Sequence, residues 1–168
     1  PVFLDLIFHD IPNTVASSVR SAAQSGADLP TVHCAGGASM LRAAQEAAAG
    51  HIRLLGVTVL TSMDAAELGA TGVVGAPSVV VEHRARLAQA AGLFGLVSSP
   101  AELSQLRAAV PSAFLVTPGI RVPEDSVDDQ RRVSTPAAAL SAGANLLVLG
   151  RAVRNAASPE MALAAIKS

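Results

Sequence analysis

Lysine is almost missing from this sequence: Lys167, next to the last of 168 residues, is the only one. There is one cysteine, Cys34, no tryptophan and no tyrosine, and aromatic residues make up 2% of the chain. Each shortage excludes something. No site built on an ammonium side chain can lie in the first 166 residues. A single cysteine cannot close an internal disulfide, which removes the disulfide-stapled folds and fits a reducing compartment. With so few aromatics the core has to be aliphatic, and hydrophobic residues do supply 51% of the chain. The formal net charge is −1 and the basic residues never cluster beyond the Arg131–Arg132 pair. Charge therefore argues against nucleic acid or an anionic membrane as partner. No apolar run reaches the roughly 18 residues a membrane span needs, and no charged region leads into a signal-type stretch. The expected location is cytoplasmic.

What is present is a strict alternation. Apolar runs of strand length occur at 2–8, 29–33, 52–60, 93–97, 113–117 and 145–149, each followed by a stretch with helical spacing. Gly26, Gly50, Gly92 and Gly143 stand where helix C-termini are expected. Ser99-Pro100 and Thr135-Pro136 read as a capping residue followed by proline in the first turn. The strands are mostly apolar on both faces, as parallel strands covered by helices are. Six successive βα units predict a parallel α/β fold in one domain, residues 1–168.

Polar residues gather just after the strands: Asp5 and Asp10, His33, Thr61-Ser62, Arg121, and Gly150-Arg151. That favours a (β/α)8 barrel over an open doubly wound sheet, because barrel active sites are built from the loops at that end. Strand alternation places Phe3, Asp5 and Ile7 on one face. A carboxylate inside an apolar strand is expensive to bury unpaired, so Asp5 suggests function. Asp10 reads equally as a cap before the helix that opens at Pro12. Thr61 and Ser62 end a strand with two hydroxyls, which read as simple strand-end caps. Gly150-Arg151 suits an anion: glycine admits the ligand to the backbone and arginine grips it bidentately. The segment 119–133 is long, polar and unpatterned, as a lid loop would be; within it Arg131 and Arg132 read as solvated charges. His9 reads as structural. His33 lacks partners at metal-ligand spacing, and Cys34 reads as a small buried hydrophobe.

Five stretches in order, "FLDLIFHDIPNT", "VTVLTSMD", "LVTPGIR", "DDQRRVSTPAAAL" and "LVLGRAV", resemble the orotidine 5'-phosphate decarboxylase family of pyrimidine biosynthesis, in its bacterial form. The resemblance runs over essentially the whole chain. It implies a partial TIM (β/α)8 barrel, the C-terminal three quarters of one, with about two further βα units preceding Phe3 in the family. It also implies a homodimer with shared active sites, no cofactor and no metal, and orotidine 5'-phosphate or UMP as ligand.

The family pattern around residues 5–10 is D-x-K-x-x-D, so Ile7 stands in the lysine position. By the family's mechanism, loss of CO2 leaves a carbanion on the pyrimidine. The lysine stabilises it and delivers a proton, the first Asp (Asp5 here) crowds the departing carboxylate, and the second (Asp10) reaches the neighbouring subunit's site. A carbanion needs a preorganised positive charge and a proton donor, and isoleucine is neither. The resemblance makes Thr14, Thr61, Ser62, Arg121, Gln130, Gly150 and Arg151 substrate-binding, with Gln130 on a loop that closes over the phosphate. Ala152 and Phe94 also depart from the usual family residues. Three accounts arise: a decarboxylase chain altered at position 7, a pseudo-enzyme keeping a phosphate site, or the related metal-dependent sugar-phosphate branch, whose later motifs differ from "LVTPGIR". The first is favoured because Thr61, Arg121, Gln130 and Arg151 persist together. As written, the chain is expected to be inactive.

Overall fold

The computed structural model describes residues 1–120, 134–154 and 156–167; the side chains of residues 151, 152, 165 and 167 fall outside that description. Six strands, β1 (Phe3–Phe8), β2 (Leu29–His33), β3 (Leu55–Val57), β4 (Gly95–Val97), β5 (Phe114–Thr117) and β6 (Leu146–Leu147), alternate with helices. These are α1 (Pro12–Gln24), α2 (Gly37–Ala48), α3 (Ala65–Ala70), α4 (Pro77–Ala90), α5 (Leu103–Ala109), α6 (Pro136–Ser141), α7 (Arg151–Arg154) and α8 (Pro159–Lys167). All neighbouring strands pair in parallel, in the order β1 to β6.

Among the described residues β6 does not return to pair with β1, so the sheet is a barrel with a gap. Leu29, Leu55 and Val116 pack with Phe3, Val97, Phe114 and Val148 as a layer on the inner face. Two larger clusters fill the space between sheet and helices. One joins Val15 and Val19 of α1 to Met40, Leu41 and Ala44 of α2. The other joins Val81, Ala85 and Ala88 of α4 to Leu103 and Leu106 of α5. The expected, mainly aliphatic core is therefore present as three clusters.

The predicted elements recur, but several strands pair over fewer residues than expected, the sixth (expected over 145–149) only at Leu146–Leu147, and one helix is additional. The third strand, expected over 52–60, pairs only over Leu55–Val57. Ile52, Leu54, Thr58 and Val59 are buried too; burial, which a sequence shows, had stood in for ladder pairing, which it does not. Helix α3 was not anticipated. It is opened by Asp64, whose carboxylate accepts from the amides of Ala66 and Glu67 while Glu67 accepts from the Asp64 amide, a capping box. The four glycines read as helix terminators all have positive φ, and Thr135 caps α6 through the Ala138 amide.

Candidate active site

Because the strands are parallel, their C-terminal ends lie at one end of the sheet. Among the described residues, Asp10, His33, Thr61-Ser62 and Gly150 lie at or just beyond those ends on β1, β2, β3 and β6, while Asp5 lies within β1. The best defined part is β1. Its register against β2 runs Phe3 to Leu29 and Leu4 to Pro30, then jumps to Phe8 opposite Val32. Asp5, Leu6 and Ile7 together therefore face the single residue Thr31. This is a bulge, a device that bends a strand and re-aims its side chains. Ile7 sits in the left-handed region at φ 49°, which is unfavourable for a β-branched residue.

One hydroxyl bridges the bulge. Thr31 Oγ1 donates to Asp5 Oδ1 at 3.0 Å and accepts from the Ile7 amide at 2.8 Å. Thr31 is fully buried. Two expectations are corrected here. Regular alternation does not carry through Asp5 to Ile7, because the bulge interrupts the pleat. Asp5 is also exposed rather than buried: the bulge turns its carboxylate toward solvent and Thr31 instead of into an apolar core.

Asp10 is exposed, and its Oδ1 accepts from the amide of Ile11 at 2.6 Å. It is not the N-cap of α1. That position is held by Ile11, without a side-chain cap bond, and Pro12 follows. The capping explanation of Asp10 thus loses its geometry. Thr14 is exposed in the first turn of α1.

Beside this edge His9 stacks on His33, ring centroids 5.1 Å apart. His33 Nδ1 accepts from the Ala35 amide at 3.1 Å. Burial, then the nearby Arg84 charge, then His9 push the His33 pKa down to about 4, so the ring is neutral near pH 7. Arg84, from α4, donates to the Thr58 carbonyl at 2.7 Å. Cys34 is buried, and burial pushes its thiol up to about 12 although Arg84 acts against this. Among the described residues no cluster of three or more His, Cys, Asp or Glu side chains could hold a metal ion.

Thr61 and Ser62 lie in the turn between β3 and α3, Thr61 half-buried and Ser62 exposed. Gly150 is exposed, directly before α7. A Cβ built on Gly150 would meet nothing within 4 Å, so no neighbour in the chain requires glycine there. Arg121 and Gln130 lie outside the described residues, as does the Arg151 side chain. Of the expected site residues that are described, Asp5 and Ile7 are joined through Thr31; Asp10, Thr14, Thr61, Ser62 and Gly150 share the same end of the sheet without a direct bond to that pair. Sequence reasoning missed Thr31, whose one signal is a lone hydroxyl in "LPTVH", and it missed the pairing of His9 with His33.

A family model described as the orotidine 5'-phosphate decarboxylase / HUMPS family matches residues 1–166. The orotidine 5'-phosphate decarboxylase of Anaeromyxobacter dehalogenans is 54% identical over 167 residues, covering 99% of this chain and 74% of that protein. The enzyme of the same name from Pseudomonas entomophila is 50% identical, covering 98% of this chain and 72% of that one. Among solved structures, the orotidine 5'-phosphate decarboxylase of Lactobacillus acidophilus superposes with a TM-score of 0.84 at 33% identity, over 98% of this chain and 73% of that chain. An uncharacterized conserved protein from Geobacillus kaustophilus gives the same TM-score of 0.84 at 34% identity, over 99% of this chain and 74% of that one. The six-stranded parallel sheet is thus part of a TIM barrel, and the chain belongs to the orotidine 5'-phosphate decarboxylase / HUMPS family.

Proposed function

We propose that this site is built for decarboxylation of orotidine 5'-phosphate to UMP and CO2, and that with Ile7 the present chain binds the nucleotide without turning it over. The family is one of carboxy-lyases in pyrimidine biosynthesis, and relatives at about half identity carry the decarboxylase name. The observation that carries the reading is the β1 bulge. It brings Asp5 and residue 7 opposite one residue of β2, with Asp10 just beyond the strand, which supports a shared role for them, while residue 7 holds a side chain poorly suited to its backbone.

In this reading Asp5 crowds the substrate carboxylate and helps expel it as CO2. The electron pair left on the pyrimidine carbon needs a cation and a proton. Position 7 is where both would come from, and Ile7 offers neither. Thr61 and Ser62 bond the base, while Gly150, Arg151, Arg121 and Gln130 receive the phosphate. No cofactor is required. Asp10 completes the site of a second copy, so the working unit is a homodimer, and the cytoplasm is its place of work. Among the described residues no helix is long and apolar enough to cross a membrane.

Calorimetric titration with UMP tests the binding half. A charge-assisted hydrogen bond is worth roughly 1.5–3 kcal/mol, so Arg151→Ala should weaken UMP about tenfold to a hundredfold. Asp5→Ala should leave binding unchanged or tighten it, because a carboxylate without a counter-charge is removed from beside the base. Parent-like affinity in Arg151→Ala would show that the phosphate site is misassigned.

A further inference from the structure

We infer that Thr31 is the positioning residue of this site: its buried hydroxyl locks the β1 bulge and so fixes residue 7 relative to the Asp5 carboxylate. The inference deepens the proposed function, since it rests on position 7 being the seat of the cation.

The geometry is specific. Three residues of β1 face one residue of β2, and that residue is Thr31. The surplus length has to be held somewhere, since a bulge leaves ladder groups unpaired. The Ile7 amide is one such group, and Thr31 Oγ1 receives it at 2.8 Å. The same oxygen's proton goes to Asp5 Oδ1 at 3.0 Å. A hydroxyl can donate one hydrogen bond while accepting others, so a single atom ties the backbone of residue 7 to the carboxylate of residue 5. Valine would match threonine in shape and fill the buried site, but it would leave both groups unheld.

A second observation supports the assignment. Ile7 is held at φ 49°. A left-handed non-glycine residue persists only where its surroundings over-determine it, and such outliers cluster at functional sites. Here the surroundings include the Thr31 bond. The hydroxyl thus keeps the residue in the conformation that turns the strand at the point where the catalytic group is expected.

The test uses Ile7→Lys in the same chain, with lysine labelled at the ε-carbon. Only two resonances then exist, the introduced amine and Lys167, and both can be titrated by NMR without any turnover. With Thr31 present, the introduced amine between Asp5 and Asp10 should hold its proton about tenfold more tightly than Lys167, the low end of what opposite charges at close range produce. Adding Thr31→Val should bring the two amines together, while Thr31→Ser should keep them apart. A purely structural role would lower the melting temperature and leave the titration where it was, and that result overturns the proposal. Amide exchange at residue 7 in the Ile7 parent gives an independent reading that survives misfolding of Thr31→Val. Strong protection supports the Thr31 bond, and exchange at the rate of an open loop overturns it. If the introduced amine already titrates like Lys167 with Thr31 in place, position 7 as cation seat is what fails, and amide exchange still decides the role of Thr31.

Discussion

At the scale of single residues, burial sets the protonation of two groups beside the candidate site, His33 and Cys34. His33 accepts the Ala35 amide through Nδ1, a bond available only to the neutral ring. Its pKa is lowered to about 4, chiefly by burial and next by Arg84, against an ordinary value near 6.5 when unfolded. The unfolded chain therefore binds the proton first. The stability that His33 contributes is complete above about pH 6.5 and is lost as pH falls toward about 4. The ring is partly exposed, so screening reduces the effect to about 1–2 kcal/mol. Urea midpoints should fall over that window in the parent and fall less steeply in His33→Asn; parallel profiles would contradict the assignment. Cys34 behaves oppositely to a reactive thiol, since burial raises it to about 12. At pH 8 the folded chain should resist alkylation by iodoacetamide and react only on unfolding; rapid labelling in the folded state would contradict the burial. At this scale the sequence was only partly legible. Asp5 and Asp10 stood out as carboxylates beside apolar residues. The Thr31 bridge did not, because "DLIF" reads as part of a plain apolar strand and nothing in the residue types announces a bulge.

At the scale of elements, short strands are joined by close backbone approach and by side chains that tie one unit to the next. Gly95 of β4 is an example. A Cβ there would run into the Phe114 carbonyl of β5, which is backbone and cannot swing away, and would crowd Leu55 as well. Gly95→Ala should destabilise by about 3 kcal/mol, the upper part of the usual overpacking range, as measured by denaturant unfolding; a neutral result would mean that β4 and β5 lie farther apart. Arg107 of α5 is another tie. It donates to the carbonyls of Pro111, Ala113 and Gly143 and to Asn145 Oδ1, and Asn145 in turn accepts from the Leu115 amide. Arg107→Ala leaves these acceptors without their donor and should cost about 2–4 kcal/mol, whereas Arg86→Ala, which removes an exposed ion pair with Glu82, should cost less than about 1 kcal/mol. Most elements were legible because parallel strands are apolar on both faces and helices end at glycine. Helix α3 was overlooked although Asp64 and Glu67 carry its start signal, since its six residues hold too little periodicity.

At the scale of the whole sheet, the six described strands run parallel from β1 to β6, with β1 and β6 at its two ends. At the β1 edge Val2, Leu6 and Ile11 are exposed, Leu6 at 61%. A groove beside them is lined by Leu4, Leu6 and Phe8 with Ser18, Ser21 and Ser25 of the first helical unit. The parallel α/β class was legible from the count and order of βα units, and the polar residues after the strands favoured a barrel whose site opens at that end. The central claim is that this architecture has kept its substrate end and lost its cation at one position. Release of CO2 from orotidine 5'-phosphate labelled in its carboxylate tests that claim most directly, using chains purified from a host lacking its own decarboxylase. The Ile7 chain should release no more label than buffer, and Ile7→Lys, in a chain of the relatives' full length, should raise release by orders of magnitude. Release by the Ile7 chain at the rate of the Ile7→Lys enzyme would contradict it.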